Sequence, residues 1–363
     1  TYVILGVAVL AIIMFVVMKV LSGTRKKSKQ RRRQILNRII SFAKEWMLVI
    51  SMLTGVLLSA VYHELPVLHH LGQDALRAVK FVQPVLIFVM LFLSFCRIAP
   101  KDLRLHRWQF LLLLIQGLSF ILLALPVVWA ASHSGAFASF ITSARIPLEA
   151  AMLCLICPTA TACAVVVRKL GGDMAQCVTY TILINIMVAI LVPAVIPFLY
   201  RDGGISFMAA FLTIMAKVFP LLILPFLAAW LVRFLLPRFH AFLTGLTDLA
   251  FYIWAVSLTL AIMMSTRAIY HFGGSLWLLA AIAAASLLSC IFQFWAGRKI
   301  GRRYGKEEEI TMGQSLGQKN TVFAIWMGYT FMEPIVSVAG GFYSIWHNLY
   351  NSWQLHRQLH QKT

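Results

Sequence analysis

Apolar runs of about twenty residues, each long enough to cross a bilayer as a helix, recur along almost the whole chain with short basic stretches between them. A helix in lipid satisfies every backbone N–H and C=O within itself, whereas loops and sheet edges cannot. The recurrence therefore predicts an all-α integral membrane protein. Composition agrees, since 61% of residues are hydrophobic and only 12% charged, about half the charge of an ordinary soluble domain. A soluble fold does not account for the runs.

Residues 1–23 read as an extra N-terminal transmembrane helix. Its positive charge follows the apolar core, the reverse of a secretory signal. A basic cytoplasmic linker spans 24–44. Ten further spans are expected near 46–62, 82–96, 108–131, 147–167, 174–200, 207–235, 242–265, 275–296, 310–331 and 334–353. They divide into a first five-helix repeat over 45–201 and a second over 202–354, followed by a cytoplasmic tail at 355–363. Because five is odd, the second repeat is inverted in the membrane relative to the first.

The basic residues fix an orientation. Alternating the spans puts 24 of the 32 lysines and arginines on one side, which the positive-inside rule makes the cytoplasm. The N-terminus then lies outside and the C-terminus inside, in a bacterial inner (plasma) membrane. The net charge of +20 is spread between apolar segments, which argues against nucleic acid. The stretch 25–38 is expected to touch anionic lipid headgroups.

Two spans carry the chemistry. In the fourth span of each half a small, polar stretch interrupts the apolar run: Cys157-Pro158-Thr159-Ala160-Thr161-Ala162-Cys163, and Gly317-Gln318-Lys319-Asn320-Thr321. A lysine at bilayer depth costs roughly 3 kcal/mol even on lenient scales. Interrupted helices in corresponding positions of two inverted halves point to a transporter's midplane site. Taken alone, the first break reads as a proline kink whose threonines bond their own backbone; the second break favours a paired site. Half-helix ends there offer amides to an anion and carbonyls to a cation.

Other polar residues are less pointed. Lys217 either lines a substrate cavity or pairs with a carbonyl or water. Glu149 and Asp248 are expected at solvated span ends, and His347 and Asn348 in helix-packing hydrogen bonds. The cysteines at 96, 154, 157, 163, 177 and 290 sit in apolar segments and read as packing residues, not as disulfides or a zinc site. No HExxH, GxSxG, P-loop or aspartate pair suggests an enzyme. No cofactor or metal is expected, and no signal for an oligomeric state is present.

The run from Cys157 to Val165 resembles the fourth-helix motif of the bile acid:sodium symporter family, roughly CPGGTASNV. Ser315-Leu316-Gly317-Gln318-Lys319-Asn320-Thr321-Val322-Phe323-Ala324 resembles its EVGMQNSGLA, and Phe342-Tyr343-Ser344-Ile345-Trp346-His347-Asn348 is similar to its FSxWHN ending. The resemblance covers residues 43–353. It implies secondary transport of an organic anion, bile-acid-like or a small carboxylate, by a panel and a core subdomain, with sodium held behind two crossing helices.

Carrying the ion ligands over exposes departures. The family's Ser-Asn pair becomes Cys163 and Ala164, and a serine and threonine on the next helix become Cys177 and Thr181. The glutamate becomes Ser315, Gln318 follows in the motif, and the glutamine becomes Lys319. Gln116 stands where the third span supplies a glutamine. Few hard oxygen ligands remain, and sodium beside Lys319 would be repelled. The expectation is that the Lys319 ammonium, bonded to half-helix carbonyls, replaces sodium, which leaves proton coupling open. Thr159, Thr161, Asn320 and Thr321 are expected to hold the anionic head. The alternative is a non-transporting sensor on the same fold.

Overall fold

The computed structural model describes residues 46–64, 68–200, 205–246, 249–273 and 275–360. The first apolar run, the basic linker and Asp248 lie outside these residues. Regular structure among the described residues is helical, apart from one bridge between Thr159 and Lys319. The helices are α1 (Met47–Glu64), α2 (Leu68–Cys96), α3 (Arg107–Ala130), α4 (Ala136–Ser143), α5 (Arg145–Ile156), α6 (Cys163–Leu170), α7 (Met174–Leu199), α8 (Phe207–Leu235), α9 (Pro237–Gly245), α10 (Leu249–His271), α11 (Leu276–Gly301), α12 (Lys306–Gly317), α13 (Thr321–Phe331) and α14 (Val338–His360).

Local chemistry sets several boundaries. Asp173 Oδ1 accepts from the amides of Ala175 at 2.7 Å and Gln176 at 3.0 Å and so starts α7. Ser206 does the same for α8 through Ala209 N at 3.2 Å. Gly171, at φ +86°, closes α6 in the left-handed conformation that a side chain disfavours. Prolines inside α7 and α8 are tolerated because membrane helices re-satisfy the freed carbonyls among neighbours.

Among the described residues, six helices are long and apolar enough to cross a membrane: the Arg77–Cys96 part of α2, then α3, α7, α8, α10 and α11. The remaining expected spans differ for physical reasons. The span 147–167 divides into α5 and α6, and 310–331 into α12 and α13. Only the first four residues of the span 242–265 fall in α9, where Pro237 opens a separate short helix, and α10 begins at Leu249. α2 starts well before residue 82, because histidines, Gln73, Asp74 and Arg77 hid its first turns from a hydropathy reading. α14 turns its polar residues Ser344, His347 and Asn351 into protein, not lipid, and all three are buried.

Packing falls into two groups. α1 and α8 pack on α2, and α10 on α1 and α2, while α3, α7, α11 and α14 pack against the two broken pairs; α8 also packs on α7. Close approach is bought with glycine, as in membrane bundles generally. A Cβ on Gly55 of α1 would sit 2.6 Å from the Thr259 carbonyl of α10.

Candidate functional site

The breaks between α5 and α6 and between α12 and α13 meet. Ala160 N donates to Gln318 O at 3.0 Å, and Asn320 N donates to Pro158 O at 2.8 Å. These two bonds make a minimal antiparallel pairing centred on Thr159 and Lys319. Pro158 is the reason that the first strand forms: it has no amide to donate and disfavours helix in the residue before it.

Most other carbonyls freed by the breaks are also engaged. Gln116 Nε2, from α3, donates to Ile156 O at 3.1 Å and to Cys157 O at 3.0 Å, and its Oε1 accepts from Tyr180 OH at 3.0 Å. Thr159 Oγ1 donates to Ser315 O at 2.7 Å. Tyr343 OH, from α14, donates to Gly317 O at 2.8 Å. The Cys157 thiol donates to Asn320 O at 2.9 Å. Gln293 of α11 supports this frame by donating to Tyr343 OH at 3.0 Å and to Cys154 O at 3.3 Å.

Lys319 stands in the middle of this arrangement, 1% exposed, and its Nζ has no hydrogen-bond partner among the described residues. Cys154, Cys157, Cys163 and Cys290 lie within its electrostatic range. The expected bonds from the ammonium to half-helix carbonyls are therefore not formed. Protein donors hold those carbonyls first. In the same stretch of sequence, Ser315 Oγ, Gln318 Oε1 and Asn320 Nδ2 are also buried without partners.

The other expected site residues divide. Asn320 Oδ1 caps α13 through Phe323 N at 3.2 Å, and Thr321 Oγ1 reaches Ser344 Oγ at 3.3 Å. Thr161 is half-buried at the turn into α6, with Ala164 on its first turn. Cys163 and Cys177 place their sulfurs 3.3 Å apart as free thiols, and Thr181 Oγ1 bonds back to Cys177 O at 2.9 Å. Lys217 is exposed, with Nζ 5.7 Å from the centre of the Phe331 ring. Phe331 lies ten residues along α13 from the break, about 15 Å at helical rise, so the structure does not bring Lys217 to the crossing.

Glu149 corrects a sequence expectation. It is fully buried, not solvated at a span end. Arg145 Nε lies 2.7 Å from its Oε1, and Tyr200 OH donates to its other oxygen. The Glu333 amide in turn donates to Tyr200 OH at 2.9 Å, so the end of α7 is tied to both broken pairs. Asn348 does not make the expected packing bond, since its Nδ2 donates within α14 to Ser344 O at 2.7 Å. The buried His347 sets its ring edge-on to Tyr343 at 5.7 Å, with Nδ1 unpartnered. Tyr180, Gln293 and Tyr343 were missed as site residues. A glutamine inside the apolar run 275–296 was the available signal for one of them, and Tyr343 lies within the family-like run Phe342–Asn348.

Two interrupted helices that cross at a polar break, inside a bundle of apolar helices, define the architecture of a membrane transporter. Residues 45–355 match the family model of the SBF-like CPA transporter family, and the chain belongs to that family. The resemblance to bile acid:sodium symporters drawn from the two break motifs and the last helix is thereby borne out. No curated protein matches the chain.

Proposed function

We propose that this transporter moves an organic anion, bile-acid-like or a small carboxylate, across a bacterial inner membrane by alternating access, with Lys319 in the role that sodium plays in the symporters it resembles. One observation carries the reading. At a crossing whose freed carbonyls already have protein donors, the buried Lys319 Nζ is left with none. A buried cation without a partner is expensive, and an anionic ligand relieves that cost. Asn320 Nδ2 and Ser315 Oγ add further unsatisfied groups at the same place. Thr159 and Thr321 shape the frame, and Thr161 stands at its edge.

The soft side chains support sodium independence. Thiols at Cys163 and Cys177 replace hydroxyl oxygens that a hard cation prefers. In this reading residues 45–201 and 202–354 are inverted repeats, the N-terminus is outside, the C-terminus is cytoplasmic, and Lys319 is the candidate carrier of a coupling proton. Rocking of the α1, α2, α8 and α10 group against the remainder exposes the crossing to each side in turn.

Uptake by proteoliposomes tests the proposal, with cholate and small carboxylates as probes. Flux is expected to be unchanged when choline replaces sodium. Strict sodium dependence overturns the role given to Lys319, and ligand binding without flux overturns transport.

A further inference from the structure

A groove of about 660 Å³ opens between α11 and α14. Its apolar part is lined by Leu287, Ile291, Trp295, Leu349 and Trp353, and its basic end by Arg298, Lys299, Arg302 and Arg357. Ile291, Trp295, Leu349 and Trp353 are each at least half exposed, so this side faces the bilayer. No acidic residue lines the groove. Glu309, just beyond it, is shared between Arg298 at 2.7 Å and Arg302 at 3.2 Å. Lys299 and Arg357 have no ion-pair partner among the described residues. Their cations rest on tryptophan faces instead, Lys299 Nζ 4.5 Å from the Trp295 ring centre and Arg357 Cζ 5.7 Å from that of Trp353.

From this geometry we infer that the groove binds one anionic phospholipid of the leaflet on the basic side. Its phosphate sits between Lys299 and Arg357, and one acyl chain lies along Ile291, Leu349 and the tryptophans. Charge complementarity and position argue together. Uncompensated cations stand at one end of an apolar channel that is open to lipid, and the two tryptophans mark the interfacial depth at which headgroups lie. A headgroup phosphate accepts from both cations without displacing an existing ion pair. The inner wall includes Cys290 and Phe294, and Gly317, where α12 ends at the crossing, packs directly on the Phe294 ring. A lipid seated here thus touches the residue that abuts the break. The inference needs only that the protein is embedded in a membrane, and it stands apart from the substrate proposed above.

Native mass spectrometry of the full chain with phosphatidylglycerol or phosphatidylcholine reads the site. One phosphatidylglycerol is expected to survive delipidation, and K299Q combined with R357Q is expected to weaken its retention by roughly tenfold or more, given the contribution of each cation near a membrane surface. R107Q, an exposed cation outside the groove, is expected to change nothing. L349W, which fills the apolar part and leaves the charges in place, is expected to displace the lipid as well. Equal retention of phosphatidylcholine, no effect of the double variant, or an effect of R107Q as large as that of the double variant overturns the proposal. So does displacement of the lipid by inorganic phosphate or by cholate at equal concentration, since either would mean that the groove holds a soluble anion.

Discussion

Replacing Lys319 with methionine separates a ligand-binding lysine from a fastening one. The Nζ is 1% exposed and has no protein partner. An unsatisfied buried donor costs about 1–3 kcal/mol even when uncharged, and an unpaired buried charge costs more. Methionine has similar length and flexibility, and its sulfur requires no partner. Lys319→Met is therefore expected to raise stability by about 1–3 kcal/mol or more. At roughly 2–4 °C per kcal/mol for a chain of a few hundred residues, the melting temperature rises by about 2–12 °C while anion uptake falls to background. The chain carries its own reporter. All six cysteines are free and buried, so a fluorogenic thiol dye lights up only as the fold opens. A melting temperature that falls in Lys319→Met refutes the reasoning, because it means that the amine holds the crossing together.

Gln116→Leu strips donors from the Ile156 and Cys157 carbonyls and the acceptor from Tyr180 OH. At about 1–3 kcal/mol for each buried group left unpaired, the loss is expected to be near 3 kcal/mol or larger; a change below about 1 kcal/mol in thermal unfolding contradicts the frame described for the crossing. At the basic end, burial opposes the charge of Glu309, but hydrogen bonds from Arg298 and Arg302 outweigh it and hold its pKa below the ordinary 4.5. The folded state therefore binds this proton less readily than the unfolded state, and the contribution is present above about pH 4.5 and disappears as pH falls through the lower folded value. Melting curves of Glu309→Gln and the parent chain should differ at neutral pH and converge in acid. A gap that is constant with pH counts against the ion pair.

Much of this architecture was legible because lipid leaves few options. Apolar runs reported membrane helices, and the small, polar stretches around Pro158 and Lys319 reported the two breaks. Hydropathy failed where helices face protein instead of lipid. The first turns of α2 and the polar face of α14 carry side chains that an averaging window reads as loop. Pro237 was a visible start signal for α9, yet its helix merged with the next apolar run. Glu149 looked like a solvated terminus because only Arg145, one turn before it on α5, is local, while its other partner, Tyr200, is 51 residues away. The same limit applied at the crossing. Spacing identified who stands there, but only the three-dimensional fold shows which donor meets which carbonyl.

In the proposed reading, that pairing sets the sign of the ligand. A sodium site needs hard oxygens with lone pairs turned toward a common point. Here Gln116, Thr159, Tyr343 and the Cys157 thiol turn their hydrogens into the carbonyls that the breaks release, and thiols stand at 163 and 177. The donors that the crossing has left over are an amine, a hydroxyl and a side-chain amide N–H group, on Lys319 Nζ, Ser315 Oγ and Asn320 Nδ2. The remaining acceptors, Gln318 Oε1 and the Ser315 hydroxyl, are uncharged and do not offset a second cation beside Lys319. Excess donors in a dry place favour an anion. If the resemblance places a carboxylate at 315 and a glutamine at 319 in the symporters, the serine and the lysine of this chain act in the same direction in the proposed reading: each removes a reason for a metal ion to bind and adds a reason for an anionic group to stay.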